Sequence, residues 1–220
     1  MRRYGFHGTS HYYVAKEAAK RLKRPLNECN LITLHLGNGA SLCAIKEGES
    51  VDTSMGFTPL AGLVMGTRSG DVDPEIPIWI QKQGFDADKI LNKQSGLKGL
   101  CGDNDVKRIQ DRAAAGNEAA MTALRVYTRR IRHYLGAYMA QLGHLDALVF
   151  TAGVGEHSAT VRRMVCEGLE IFGIALDSAR NDRNEMEISD DSSAIKIFVI
   201  PTDEELEIAM QTEEILGIGD

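Results

Sequence analysis

Three glycine clusters, each beside a strand-like or turn-like run, constrain this chain more than any other feature of its sequence. They are Leu36-Gly37-Asn38-Gly39-Ala40-Ser41, Met65-Gly66-Thr67-Arg68-Ser69-Gly70 and Ala152-Gly153-Val154-Gly155-Glu156. Glycine has no Cβ to hold the backbone away from an anion, so successive N–H groups at such positions can wrap phosphate oxygens. A single Gly-x-Gly after a strand is commonly just a tight turn. Three together, one carrying Arg68, point to a nucleotide or phosphoryl site. The chain contains neither G-x-x-x-x-G-K-[ST] nor G-x-G-x-x-G, so the phosphate site is expected to be neither a P-loop nor a dinucleotide fingerprint.

The elements around these clusters read as an α/β chain. Leu31–Leu36 has strand character, Gly37-Asn38-Gly39 turns it, and Ala40–Ile45 returns as a second strand, so a hairpin with a glycine tip is expected. Glu49–Ser54 adds a third strand. A helix is expected over Ser10–Leu22, capped by Thr9 or Ser10, with Val14, Ala15, Ala18, Ala19 and Leu22 on one face and Pro25 just beyond. Further helical patterns cover Glu75–Gln83, Ala87–Lys93, Val106–Ala114 and Glu118–Leu142. In the last, Met121, Leu124, Ile131, Leu135, Tyr138 and Leu142 form a core-facing stripe. Asp146–Thr151 is a buried type of strand that runs into the third glycine cluster, read as a loop, and then into a helix over about Ser158–Leu169. That is the strand, loop, helix order of α/β nucleotide sites. Ile195–Ile200 repeats the buried strand type, and Thr202 or Asp203 caps a last helix through Leu216. The polar stretch Asp182–Ser193 is expected to be a surface loop. Met55–Pro74 is a long connection carrying Arg68, Asp71 and Asp73, of a length that is usually functional.

Composition narrows the classes. With 220 residues, 43% apolar and 25% charged, the chain is long enough for one large domain. It has no apolar run near the roughly 18 residues of a membrane span. A net charge of −6 counts against nucleic acid as a partner. The cluster Lys20-Arg21-Lys23-Arg24 reads as the solvated end of a helix rather than a phosphate contact. Cys29, Cys43, Cys101 and Cys166 show neither disulfide-like nor zinc-like spacing, and Met1-Arg2-Arg3-Tyr4-Gly5 opens no signal-peptide pattern, so a reduced cytoplasm is expected.

Longer motifs carry a resemblance. Tyr4-Gly5-Phe6-His7-Gly8-Thr9-Ser10-His11, His35-Leu36-Gly37-Asn38-Gly39-Ala40-Ser41 and Asp52-Thr53-Ser54-Met55-Gly56-Phe57-Thr58-Pro59-Leu60 occur in that order. They are followed by Met65-Gly66-Thr67-Arg68-Ser69-Gly70-Asp71-Val72-Asp73-Pro74, Phe150-Thr151-Ala152-Gly153-Val154-Gly155-Glu156 and Pro201-Thr202-Asp203-Glu204-Glu205-Leu206. In these segments, spread over nearly the whole chain, the sequence closely resembles the acetate kinases. The resemblance implies an α/β, actin-like and ribonuclease-H-like domain of the acetate and sugar kinase superfamily, with a mixed sheet and flanking helices. It also implies reversible, magnesium-dependent phosphoryl transfer from ATP to acetate, giving acetyl phosphate and ADP, in a cytoplasmic homodimer.

Residue by residue, the resemblance places His7 against the transferring phosphoryl group and gives Arg68 the stabilisation of its transition state. It matches His35, Leu36, Gly37, Asn38 and Gly39 to a first ATP segment, and Gly153, Val154, Gly155, Glu156 and His157 to an adenosine-side segment. Asp105, Val106 and Lys107 match a third ATP segment more loosely. Glu204 matches a magnesium ligand, while its position equally fits a first-turn helix acid beside Asp203. His11 lies four residues after His7, but with Gly8 between them and no third ligand it reads as helix-start structure rather than half of a metal pair.

The chain departs from the family pattern chiefly in length. An acetate kinase runs to about 400 residues, a multi-domain size, and this sequence starts midway through that pattern. The amino-terminal half, with its first-strand motif, acetate-binding arginine and proposed catalytic aspartate, has no match here. Smaller departures are Lys107 where arginine is common, and His157 and Asp203 where asparagine is common. The expected division is residues 1–202 as a carboxy-terminal nucleotide-binding and dimerisation domain, and 203–220 as a helix that docks on the absent amino-terminal domain. Beside the enzyme stands the alternative of a non-catalytic ATP-binding half; a nucleic-acid binder is the weaker third reading.

Overall fold

A computed structural model describes residues 3–217. Its centre is a five-stranded mixed sheet in the order β3-β2-β1-β4-β5. β1 (Leu31–Leu36), β2 (Ala40–Lys46) and β3 (Glu49–Thr53) form an antiparallel meander. β4 (Ala147–Thr151) runs parallel to β1, with Leu34 opposite Phe150, and β5 (Lys196–Val199) runs parallel to β4, with Phe150 opposite Val199.

The central strands are apolar at almost every position because both faces of the sheet are covered. Period-two alternation then sorts their side chains. On one face Leu31, Cys43, Ile45, Val149 and Phe198 meet Val14, Ala15 and Ala18 of α1 (Gly8–Leu22). On the other, Ile32, Leu34, Leu42, Leu148 and Phe150 meet Leu124, Tyr127, Ile131 and Leu135 of the long helix α6 (Glu118–Leu142). Each fully buried leucine or phenylalanine contributes about 1.5–3 kcal/mol, so the two layers hold the sheet from both sides. Between the meander and α6 lie α2 (Glu75–Lys82), α3 (Ala87–Lys93), α4 (Gly96–Cys101) and α5 (Val106–Ala114). After β4 come α7 (Ala152–His157), α8 (Ala159–Cys166), α9 (Ser178–Asp182) and, after β5, α10 (Glu204–Leu216).

Most starts and stops follow local chemistry. Asn117 caps α6 through the Ala120 N–H at 2.9 Å, Ser158 caps α8 through the Val161 N–H at 3.1 Å, and Asp203 caps α10 through the Leu206 N–H at 2.9 Å. α1 departs from expectation. It begins at Gly8, with His7 at the cap in left-handed backbone (φ 61°), because Ser10 spends its hydroxyl on His35 instead of on a helix end. The stretch 152–157, expected as a loop, is helix α7, divided from α8 at Ser158. Residues 182–193 are not simply surface: Ile188 and Ser189 are buried, held by bridges from Leu176 to Ser189 and from Glu187 to Phe198. Pairing with distant segments overrode their polar composition.

In the basic cluster at the end of α1, Lys20 and Arg21 pair with Glu17 and Arg24 with Asp146. α10 lies against α1, where the Lys16 ammonium stands 2.6 Å from the fully buried Glu207 carboxylate, while Leu206, Ile208, Ile215 and Leu216 stay exposed. Residues 1, 2 and 218–220, the outer ends of the two expected units, lie outside the described residues. No helix among the described residues is long and apolar enough to cross a membrane.

Candidate active site

Strand alternation and helix pitch bring the polar residues of the site to one corner of the sheet. Thr33 and His35 of β1, and Ser41 of β2 opposite His35, fall on the face that α1 covers. The start of α1 lays His7, Ser10 and His11 over them. His7 Nδ1 lies 2.8 Å from Ser41 Oγ, which lies 2.8 Å from His11 Nε2; His11 Nδ1 in turn lies 2.7 Å from Thr33 Oγ1. Ser10 Oγ lies 2.8 Å from His35 Nδ1, and the His7 and His35 rings stack with centroids 4.0 Å apart. All three imidazoles are held toward the neutral form. Burial and then the Arg68 charge lower the pKa of His7; burial and then His7 lower that of His35 to about 4; burial and then its two neighbours lower that of His11 to about 3.

The glycines set how closely the hairpin tip approaches these groups. A Cβ on Gly39 would stand 3.2 Å from an Arg68 guanidinium nitrogen and 3.7 Å from His7 Nε2, so both donors converge on this turn. A Cβ on Gly66 would stand 2.2 Å from Asn38 Oδ1, which only glycine permits, and the Gly66 N–H donates to the Asn38 carbonyl at 3.2 Å. The start of α4 grips the same arginine loop, Leu97 N–H donating to Met65 O and Lys98 N–H to Gly66 O, both at 2.9 Å. Arg68 itself donates to the Pro59 carbonyl at 3.2 Å and pairs with no carboxylate among the described residues. Its remaining N–H fork is available for an anion.

Beside the turn opens a cleft of about 810 Å³, within the range of small-molecule sites. Gly37, Asn38 and Gly66 line one side. Asp105, Val106 and Lys107 at the start of α5 line another, and Gly153, Val154 and His157 of α7 a third. Asp105 spends its carboxylate on capping α5 through the Arg108 N–H at 3.1 Å, so the positive end of that helix faces the cleft. α7 springs directly from β4 through Ala152, whose left-handed φ of 62° sharpens the turn at a cost of about 1–3 kcal/mol.

Not every expected residue reaches the cleft. Leu36 is fully buried in the core, and Gly155 packs against Phe150 and Leu34, where a Cβ would stand 3.4 and 3.6 Å from their backbones. Glu156 accepts from the Thr202 N–H at 3.3 Å and so ties α7 to the segment that enters α10. Glu204 is half-buried, and Asp203 supplies the cap, so the Glu204 carboxylate has no partner among the described residues. No cluster of three His, Cys, Asp or Glu side chains able to hold a metal occurs among the described residues. A single carboxylate fits magnesium held mainly by water and phosphate oxygens.

Several residues have a role that the sequence did not assign. Ser10 is expected as a helix cap, Ser41 lies within a motif without a role, and Thr33 looks like an ordinary strand residue; only the fold joins them to the histidines. Arg162 is fully buried and donates to the carbonyls of Gly155 and Glu156, closing the carboxy-terminal end of α7, and to Asn181 and Asn184. A faint signal existed for it, a cation beside Val161 on the apolar stripe continued by Val165 and Cys166.

An antiparallel meander continued by parallel strands, helices on both faces and a glycine-tipped hairpin at the rim of a cleft define the actin-like domain of the acetate and sugar kinase superfamily. Residues 1–210 match the model of the acetokinase family, and the chain belongs to that family. It is 59% identical to an acetate kinase of Sulfurovum sp. over 99% of this chain and 57% of that protein. It is 56% identical to one of Lawsonia intracellularis over 99% of this chain and 55% of that protein. The crystal structure of Porphyromonas gingivalis acetate kinase superposes with a TM-score of 0.94 at 45% identity, covering 98% of this chain and 56% of the other. That of a Francisella tularensis propionate kinase gives 0.91 at 44%, covering 96% and 55%. The chain thus spans little more than half the length of the relatives it matches.

Proposed function

We propose that this chain is the carboxy-terminal, nucleotide-binding part of an acetate kinase and serves the reversible transfer of the ATP γ-phosphoryl group to acetate. An acetate oxygen forms the new P–O bond as the bond to the ADP oxygen breaks, so acetyl phosphate and ADP result. The convergence on Gly39, at the edge of the cleft, of His7 Nε2 and an Arg68 guanidinium that pairs with no carboxylate among the described residues carries this reading. Phosphoryl transfer spreads negative charge over three equatorial oxygens, and a preorganised guanidinium and imidazole N–H stabilise it there without reorganisation. Gly37, Asn38 and Gly39 cradle the phosphates, the start of α5 with Lys107 flanks them, and Gly153, Val154 and His157 border the nucleoside. Glu204 would hold magnesium, which neutralises phosphate charge when bound.

Exposed Leu206, Ile208 and Ile215 support docking of α10 on a part of the enzyme outside this chain, and exposed Trp79 and Phe85 support a homodimer contact. Buried free thiols at Cys29, Cys43 and Cys166 support a cytoplasmic location. The test is acetyl phosphate formation from acetate and Mg-ATP by the purified chain, with Arg68→Ala as control. Turnover lost in the variant supports the transfer role. No turnover but saturable ATP binding assigns the chain to the binding half, and no ATP binding overturns the reading.

A further inference from the structure

We propose that a buried chain of hydroxyls and imidazoles, running from Thr33 through His11 and Ser41 to His7, fixes the tautomer of His7 so that the proton sits on Nε2 and faces Gly39 and Arg68. Ser10 imposes the same tautomer on His35. The relay rests on the phosphoryl-site reading for its purpose, though not for its geometry.

A neutral imidazole has one donor and one acceptor nitrogen, and a hydroxyl has one proton to give. The four groups are linked end to end at 2.7–2.8 Å, so choosing one proton chooses all. Only two senses exist. In the first, Thr33 O–H donates to His11 Nδ1, His11 Nε2–H donates to Ser41 Oγ, and Ser41 O–H donates to His7 Nδ1. The His7 proton is then on Nε2. In the second, His7 Nδ1–H donates to Ser41, Ser41 donates to His11 Nε2, and His11 Nδ1–H donates to Thr33. The Thr33 proton then needs an acceptor of its own.

Thr33 breaks the tie. Its side chain is fully buried in β1, and His11 is its only hydrogen-bond partner among the described residues. The second sense therefore strands a buried hydroxyl proton, which disfavours it by about tenfold or more. Ser10, fully buried with His35 Nδ1 as its only side-chain partner among the described residues, reaches the same result by a shorter path. Both Nε2 atoms end at the glycine turn, His7 at 3.7 Å from a Cβ on Gly39 and His35 at 3.8 Å from one on Gly37, with the two rings stacked.

The chain also resists charge on His7. A His7 cation must donate from both nitrogens, so Ser41 would have to accept, the relay would reverse, and the Thr33 proton would be stranded. The surroundings act in the same direction: His35 stacks on the ring from β1, Arg68 lies beside it from the arginine loop, and neutral His11 and Ser41 close the rest. His7 is thereby kept as a neutral donor that neither titrates away nor takes a proton from the acceptor. Ser41, His11, Thr33 and Ser10 are positioning residues, acting through the two histidines.

Proton–nitrogen correlation spectra of the chain with isotope-labelled histidines test this at neutral pH, with His7→Gln and His35→Gln variants to assign the signals. The expected pattern is a protonated Nε2 and an accepting Nδ1 on His7, His11 and His35. A protonated Nδ1 on His7 overturns the relay. In Ser41→Ala the hydrogen bond that favours neutral His7 is gone, so His7 is expected to bind its proton about threefold or more tightly. An unchanged titration midpoint also overturns it; should that variant fail to fold, the wild-type spectrum decides alone. The spectra need neither nucleotide nor turnover, so failure of the kinase reading leaves this result standing, and a wrong tautomer leaves nucleotide binding untouched.

Discussion

Replacing Arg162 by methionine keeps most of the side-chain volume and removes the buried donors that close α7. The guanidinium donates to the Gly155 carbonyl at 2.8 Å, the Glu156 carbonyl at 2.9 Å, Asn181 O at 3.0 Å, Asn181 Oδ1 at 2.7 Å and Asn184 Oδ1 at 2.6 Å. Burial lowers its pKa to about 10, so it is still a cation at neutral pH. The exposed Asn184 amide can turn to water, but Asn181 is fully buried with its Nδ2 donating to the Ala159 carbonyl, and the three backbone carbonyls are fixed. Orphaning them at about 1–3 kcal/mol each, less the relief of no longer burying a charge, gives a net loss of about 3–5 kcal/mol. For a chain of this size, with an m-value of about 2–3 kcal/mol per molar urea, the unfolding midpoint falls by about 1–2 M. Because α7 carries Gly153, Val154 and His157, ATP affinity measured by titration calorimetry falls as well. Arg162→Lys keeps the charge without the planar fork and is expected to recover only a minor part of the loss. A midpoint within about 0.3 M of the parent would refute the reasoning, since it would mean that water satisfies those carbonyls as well as Arg162 does.

Arg68→Ala is expected to lower turnover by about a thousandfold, or ~4 kcal/mol in the barrier, with ATP affinity little changed, because its fork acts on charge that develops in the transition state; equal losses in binding and turnover argue against that role. Gly39→Ala places a methyl 3.2 Å from the Arg68 guanidinium at a backbone angle that alanine accepts, so thermal unfolding stays within about 1 kcal/mol of the parent while turnover falls about a hundredfold. Glu204→Ala raises the magnesium concentration needed for half-maximal rate, whereas an unchanged metal titration with lower thermal stability assigns Glu204 to the helix start. In acid the histidine cluster destabilises the fold: folded pKa values of about 4 for His35 and about 3 for His11 lie below the ordinary 6.5. The unfolded chain therefore binds the extra protons, and the stability present above that pH is lost as pH falls toward 3–4. Each imidazole contributes a slope of about 1.4 kcal/mol per pH unit over its own window. Urea unfolding at stepped pH measures it, and a flat profile between pH 6 and 4 contradicts the burial of these rings.

Much of the architecture was legible from residue order because its causes are local. The apolar runs of β1, β2 and β4, the glycine tip between β1 and β2, the α6 stripe from Leu124 to Leu142 and the Asp203 cap each follow from side-chain period or capping chemistry over a few positions. The same locality misled where distant partners compete. Thr9 and Ser10 have the composition of a helix cap, but Ser10 is claimed by His35 on β1, so the helix starts earlier, behind His7 in left-handed backbone. The glycines of 152–157 have the composition of a loop, but Arg162 satisfies the last carbonyls there and a helix stands instead.

By itself the sequence determined which chemistry is on hand: His7, Arg68, three glycine clusters and the strands that carry them. Only the tertiary structure decided which of these meet. Leu36 and Gly155, inside the matched motifs, turn into the core, while Thr33, outside every motif, and Ser41, given no role within its own, come to hold His11 and His7. The physical reason is that hydrogen-bond partners across 22 to 34 residues are fixed by sheet register and helix placement, and no window along the chain contains both ends of such a bond.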